Sequence, residues 1–248
     1  IELMFRRVYS SGFTQRPDPT IMGAFSGLEI ACWDILGKSL NQPICNLLGG
    51  KIRNSLRSYT YLYPKGQQSE ADFYSSPALS AEAARVAIDK GFTAIKFDPA
   101  GPYTIFDGHQ PSLADLELSE EFCRLIRSKV GNQADLLFGT HGQFTPSGAL
   151  RLAQRLEKYS PLWFEEPIPP DSSRNMQLVA ANTSIPIATG ERLTTKYEFS
   201  EVLRSGAASI LQPALGRVGG IWEAKKVAAI AEVFGAQIAP HLYAGPIE

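Results

Sequence analysis

The sequence predicts an α/β protein built from parallel strand–helix units, wound as a TIM-like (β/α) barrel. Three observations predict it. From Leu56 onward, short β-rich runs alternate with amphipathic helical stretches at a spacing of roughly 25 residues, the mark of βαβ units. The strand runs are apolar at successive positions, as parallel strands covered by helices on both faces should be. No G-x-G-x-x-G follows an early strand, so the dinucleotide-binding form of a parallel sheet lacks its fingerprint.

The elements follow in order. Before Leu56, "FSGLEIACWDILGKSLNQPICNLLGG" predicts one helix over 25–40, with Phe25, Leu28, Ala31, Cys32, Ile35 and Leu36 as its apolar stripe. This lead segment, 1–55, is expected to pack against a domain of which the chain contains only part, and 56–248 to form the barrel. The strands are expected in "LRSYTYLY", "TAIKFD", "ADLLFG", "PLWFEE", "IPIATGE", "ASILQPA" and "AQIAPHL". Helical patterns between them cover 80–90, 116–130, 147–159, 175–181, 196–205 and 220–234. Ser80 suits an N-cap and Gly91 the residue after a helix end. The long stretches after the first two strands, "LYPKGQQSEADFYSSPALS" and "DPAGPYTIFDGHQPSL", read as loops that could form a lid over a polar substrate.

Composition excludes several classes. Net charge is −1, so no basic field exists to hold nucleic acid or an anionic membrane. No apolar run of about 18 residues is present, so no membrane span is expected. Cys32, Cys45 and Cys123 show no metal or disulfide spacing; Cys32 and Cys123 read as small buried hydrophobes on helix faces. A reducing, cytoplasmic setting is expected, although the start "IELMFRRVYSSG" reads as the middle of a longer chain and leaves any targeting signal open.

Polar groups collect where a barrel enzyme would use them. Lys96 and Asp98 end the second strand, and His141 follows the third. Glu165 and Glu166 end the fourth, Glu191 and Arg192 the fifth, Gln212 the sixth and His241 the seventh. In a (β/α) barrel these ends form the active face. Glu165 and Glu191, on adjacent strands, suit a shared hard cation such as Mg²⁺. Lys96, between Ile95 and Phe97, suits a base; His241 offers a second base and His141 an acid. Such a set fits proton abstraction beside a carboxylate. The plainer readings are a salt-bridged strand end for Glu165 and Glu166, a solvent-reaching Lys96 and a core His241. Asp98 reads as a ligand or as a loop cap before Pro99, and His109 as a loop residue.

The stretches "GLEIACWDILGKSLNQPICNLLGG", "GFTAIKFD", "WFEEP", "ATGERL", "LQPALGRVGGI" and "IAPHLYAGPI" resemble, in order and over nearly the whole chain, the mandelate racemase branch of the enolase superfamily. The resemblance implies a barrel of seven or eight strands capped by an α+β domain, of which this chain would hold an incomplete barrel and a remnant of the cap. It implies a Lys or His base working with Mg²⁺. Lys96 matches the first lysine of the K-x-K base motif, whose second position is Asp98 here. Glu165 and Glu191 match metal glutamates, and His241 the histidine of a His-Asp dyad whose aspartate position holds Ala214. The third-strand metal aspartate falls on Gly139.

Asp98 is therefore expected to supply the third ligand from the neighbouring strand, with Gly139 leaving it room; His141 is the competing ligand. His141, two residues past Gly139, should point to the same strand face, and similar His-Gly pairs in acid-sugar dehydratases imply an acid there. Without the dyad aspartate, Lys96 becomes the expected base. The expected activity is Mg²⁺-dependent dehydration of a sugar acid, with Lys96, His141 and His241 as catalytic groups. Asp98, Glu165 and Glu191 are the expected metal ligands, and Gln143, Arg192 and Gln212 the substrate contacts. A racemase, epimerase or cycloisomerase on the same scaffold, or a catalytically inactive binding member, are the alternatives. The expected partners are a small sugar acid and further copies of the chain.

Overall fold

The structure is a computed structural model and describes residues 1–248 apart from 12, 14, 17, 102–107, 244 and 246–248. The elements in chain order are α1 (Glu2–Tyr9), α2 (Pro19–Leu40), α3 (Ile44–Leu47), β1 (Thr60–Tyr61), α4 (Glu70–Tyr74), α5 (Pro77–Asp89), β2 (Ala94–Phe97) and α6 (Leu113–Val130). Then come β3 (Asp135–Gly139), α7 (Pro146–Leu156) running into a 3₁₀ turn at Glu157–Tyr159, β4 (Trp163–Glu165), α8 (Ser173–Ala180) and β5 (Ile187–Thr189). The chain continues through α9 (Thr195–Ser205), β6 (Ile210–Leu211), α10 (Ile221–Val233) and β7 (Gln237–Ile238). The result is an α/β fold whose seven strands lie in chain order in the sheet, parallel in every described pairing. No helix among the described residues is long and apolar enough to cross a membrane.

The chain forms two compact units, Arg57–Ala188 and Ile1–Leu56 with Thr189–Glu248. In the first unit, the register of β2, β3 and β4 sorts side chains cleanly. Phe97, Phe138 and Phe164 are Cα partners across the three strands and stack edge to face at centroid separations of 5.5 and 6.1 Å. With Ile95 and Leu136 they bury one face of the sheet. Lys96 pairs with Leu137, Leu137 with Trp163, and Gly139 with Glu165. Because side chains alternate along a strand, these residues occupy the opposite face.

Helix boundaries in this unit follow their caps. The expected N-cap Ser80 is instead buried inside α5, which begins earlier. Pro77 stands at N1, where its fixed φ favours helix and its missing N–H costs nothing, and the Ser76 hydroxyl accepts from Leu79 N–H. Gly91, φ +92°, ends the helix as expected. Ser112 and Asp115 form a reciprocal capping box that starts α6 three residues ahead of the predicted boundary. The first expected loop is half helical: Ser69 caps α4 and receives a bond from Asp72 N–H. Of the second, residues 102–107 lie outside the described residues. His109, further on, joins Phe144 in a parallel bridge, with their rings 5.2 Å apart.

The second unit corrects the expected stripe of α2. Leu28 and Ile35 are 63% and 66% exposed, and Ala31 and Leu36 face outward as well. The buried line is Met22, Phe25, Ser26, Glu29, Trp33 and Gly37, and Met22 and Phe25 pack with Phe5 of α1. A hydropathy stripe misses this face because its middle member is a carboxylate that is fully satisfied. Glu29 Oε2 accepts from Ile221 N–H at 2.8 Å, and Oε1 accepts from Trp222 N–H at 3.0 Å and Trp33 Nε1–H at 2.7 Å. Glu29 thus caps the N-terminus of α10, whose N-cap Gly220 supplies no side chain. Gly220 has φ +90°, and a Cβ there would overlap Glu29 Oε2, so glycine is required on both counts. The three cysteines are free; Cys123 is buried, Cys32 half-buried and Cys45 exposed.

Candidate active site

The candidate site in the unit 57–188 is built at the C-terminal ends of β2, β3 and β4. Lys96 and Glu165 are both buried and share an ion pair between Nζ and Oε1, while Trp163 Nε1–H donates to Glu165 Oε2 at 3.2 Å. Register explains the meeting. Lys96 starts level with Leu137, one side-chain repeat before Gly139, and Glu165 is level with Gly139. The lysine arm therefore has to cross the end of β3. It does so over Gly139: a Cβ there would overlap Lys96 Cε and stand 3.4 Å from Nζ. Tyr61, the Cα partner of Lys96, lies under the ammonium at 5.9 Å from ring centroid to Nζ. Tyr63 and Tyr74 pack on Tyr61 at 5.3 and 6.5 Å and complete an aromatic wall. Burial pushes the Tyr61 phenol well above its usual range, with the charge of Asp98 acting in the same direction.

Asp98 is buried just past β2. Its Oδ1 accepts from Ala100 N–H at 2.8 Å and its Oδ2 from Gln143 Nε2–H at 3.0 Å. Burial raises its carboxyl from 3.8 to about 8, against the opposing pull of those two bonds and of Lys96. The expected room at Gly139 is thus taken by the Lys96 arm, not by Asp98. Gln143, expected to touch substrate, is the residue that holds Asp98.

His141 does not follow the alternation expected of it. β3 ends at Gly139, and His141 has φ +53°, a left-handed turn residue to which strand periodicity no longer applies. The turn is fixed by its neighbours: Thr140 Oγ1–H donates to Glu166 O at 3.0 Å, and Gly142 N–H donates to the same carbonyl at 2.7 Å. Glu166 itself has φ +40°, so the backbone is strained on both sides of this contact. The site residues that sequence reasoning missed are Tyr61, Trp163 and Thr140. Tyr61 and Trp163 carry a legible signal only once the register is known, since each shares the face of Lys96.

In the other unit, Glu191 and Arg192 follow β5, Gln212 follows β6 and is buried, and His241 follows β7. His241 N–H donates to Pro213 O at 3.2 Å, and the residue bridges Ala214. Its Nε2 lies 3.4 Å from Glu191 Oε2, its ring stacks on Tyr243, and its buried Nδ1 has no hydrogen-bond partner among the described residues. The Glu191 carbonyl accepts from Arg217 Nη1–H at 2.9 Å.

The carboxylates suit a hard cation in donor chemistry. Among the described residues, however, no three His, Cys, Asp or Glu groups stand together as a metal cage. Glu165 is paired with Lys96.

Residues 78–248 match the sequence profile of the enolase C-terminal domain-like family, and residues 2–49 that of the mandelate racemase / muconate lactonizing enzyme N-terminal domain. The chain is 36% identical over 245 residues to a D-galactonate dehydratase of Ralstonia pickettii, covering 98% of this chain and 60% of that protein. It is 35% identical over 234 residues to a D-xylonate dehydratase of Haloferax volcanii, covering 92% and 54%. A crystal structure of a mandelate racemase/muconate lactonizing enzyme-like protein from Roseovarius sp. TM1035 superposes with a TM-score of 0.96 at 65% identity, covering 99% of this chain and 62% of that one. The chain thus spans under two thirds of the length of each of these relatives.

Proposed function

Since this chain belongs to the mandelate racemase / muconate lactonizing enzyme branch of the enolase superfamily, we propose that the protein it represents is a Mg²⁺-dependent dehydratase of a sugar acid. The parallel strands then belong to an incomplete (β/α) barrel, with 1–55 as the remnant of its cap. The observation that carries the reading is the buried trio Lys96, Asp98 and Glu165 at the strand ends of one unit. Two buried carboxylates and an amine at neighbouring strand ends suit abstraction of a proton next to a carboxylate. The dehydratases named above support the reaction class.

On the family resemblance, Asp98, Glu165 and Glu191 would hold the metal. A bound Mg²⁺ would supply positive charge to the substrate carboxylate as the α-carbon becomes electron-rich. Lys96 takes the α-proton at Nζ. The electron pair left on carbon expels the β-hydroxyl, which leaves as water after accepting a proton from His141 or His241. The resulting enol rearranges to a 2-keto-3-deoxy acid. Gln143 keeps the Asp98 carboxylate pointed, and the Tyr61 wall keeps water away from the lysine. Arg192 and Gln212 contact the substrate, and the enzyme works as a homo-oligomer in the cytoplasm. Dehydration is favoured over racemisation by Ala214, which bridges His241 at the position where the family resemblance puts the aspartate partner of a second base.

The test is a panel of aldonic acids of five and six carbons with the full-length protein and Mg²⁺, assayed with a carbonyl reagent for 2-keto-3-deoxy acid. Product is expected from at least one of them, and Lys96→Ala should lose at least about 100-fold in rate. Epimerised acid without keto product would assign the isomerase reading, and no conversion of any kind would leave a binding protein.

A further inference from the structure

Along β1 and its two flanks, tyrosine takes three successive positions on one face. Tyr59 meets Trp163 edge to face at 5.2 Å, Tyr61 lies under Lys96 Nζ at 5.9 Å, and Tyr63 packs on Tyr61 at 5.3 Å. These are alternate residues, so they share the face of Lys96. Leu62, between the last two, is buried on the opposite face with Phe73 and Phe97. The ladder runs one step past the strand, because Leu62 N–H donates to Lys96 O at 2.9 Å. Tyr59 and Tyr61 are half-buried, whereas Tyr63 is 57% exposed. A lone exposed ring is ordinary on a protein surface, so the mounting of this one decides its meaning. Pro64 follows it, with φ set by the proline ring. Next comes a turn closed twice: Gln68 N–H donates to Lys65 O at 3.2 Å, and Lys65 N–H to Gln68 Oε1 at 2.9 Å. Tyr63 is thus held by Tyr61 on one side and by a braced turn behind, with more than half of its surface open.

From this we infer that Tyr63 is a specificity-determining residue of the strand-end site: its ring is the platform for the far end of a sugar acid's carbon chain. The inference rests on the dehydratase reading proposed above, in which the reacting carbon lies at Lys96. Tyr61 is the strand partner of that lysine, and Tyr63 stands two residues farther toward the mouth, roughly 6.6 Å along the strand. It therefore meets carbons remote from the reacting one. An aromatic face supplies apolar contact, and a polyhydroxylated chain offers apolar contact only through its C–H groups. A ring fixed before binding supplies that contact at little entropic cost. A five-carbon acid is one carbon shorter at this end than a six-carbon acid, so the platform reads chain length.

The experiment compares the full-length natural protein with its Tyr63→Ala and Tyr63→Phe variants on aldonic acids of five and six carbons. Steady-state kinetics give kcat and KM, and saturation-transfer NMR of the same acids gives binding without turnover. Tyr63→Ala should lower kcat/KM for six-carbon acids at least about fivefold more than for five-carbon acids, the scale of one lost carbon contact, with the loss mainly in KM. Tyr63→Phe should keep the natural ratio, since the ring and not the hydroxyl makes the contact. Should the alanine variant not fold, Tyr63→Leu removes the flat ring while keeping apolar bulk. Equal losses for both chain lengths, or a loss in kcat alone, overturn the platform. So does a phenylalanine variant that behaves like the alanine one. If the natural protein turns over none of the acids, the dehydratase reading fails, and binding alone decides the role of Tyr63. Six-carbon acids bound more weakly by Tyr63→Ala than by the natural protein, with five-carbon acids little changed, would sustain it. Equal binding by both proteins, or no binding by the natural one, would overturn it.

Discussion

A single carboxylate shows how tightly this site is tuned. Asp98 is buried, and burial alone would drive it toward the neutral acid; two hydrogen bonds and Lys96 pull the other way. Gln143 supplies one of those bonds and is itself buried. Gln143→Leu should raise the Asp98 carboxyl further and destabilise the protein by about 1–2 kcal/mol, the usual loss when a buried acceptor forfeits a partner. Urea unfolding of the two proteins measures it, and an unchanged midpoint would show that Gln143 does not hold Asp98. Sequence reasoning placed Asp98, Lys96 and Glu165 at strand ends because each closes a short apolar run. It could not place Gln143 on Asp98, since that contact depends on a turn with left-handed residues at His141 and Gly142. Strand alternation stops at Gly139, and no pattern in the residues beyond it announces where the side chains go.

At the scale of the element, periodicity located every strand and most helices, because apolar runs and caps are local signals. All seven expected strand segments contain a strand, though each strand is shorter than the segment expected for it. The faces of α2 were not legible. Its most apolar line, through Leu28 and Ile35, is exposed, and its buried line has Glu29 at the centre. Charge inside a helix interface reads as an error until the partner is seen, and the partner here is the bare N-terminus of α10. Glu29→Ala should cost about 2–4 kcal/mol, since a charged acceptor of two backbone N–H groups and an indole is lost while the donors stay buried. Glu29→Gln, which keeps one carbonyl oxygen, should cost less. Gly220→Ala should cost at least as much as Glu29→Ala, because it adds strain at φ +90° to overlap with Glu29. Chemical denaturation of the three variants gives the order; a Glu29→Ala protein as stable as the natural one would remove the capping role.

Across the whole molecule, the unit formed by 1–56 and 189–248 joins segments far apart in sequence, and the first helix is tied in by charge as well as by apolar contact. Glu2 accepts from Trp222 Nε1–H at 2.9 Å, pairs with Lys226, and pairs with Arg6 on its own helix at 2.8 Å. Lys226 and Lys196 both lie over the Phe5 ring, at 5.3 and 4.7 Å from its centroid. Lys226 is the main reason the Glu2 carboxyl falls from 4.5 to about 2, helped by Arg6 and Trp222 and opposed by partial burial. A carboxyl depressed on folding stabilises the folded state fully above its unfolded value, and that stability disappears as pH falls through the folded value. The window therefore runs from about pH 4.5 down to about pH 2. Glu2 is 39% exposed, so solvent screening holds the effect to under about 1 kcal/mol. Glu2→Gln should lower stability slightly at neutral pH and leave it nearly unchanged near pH 2, so that its unfolding midpoint falls less steeply on acidification than that of the natural protein. Thermal unfolding at half-unit steps across that window measures the difference between the two curves. Parallel curves would mean that α1 is held by Phe5 and its aromatic neighbours alone, with the ion pairs adding nothing to the fold.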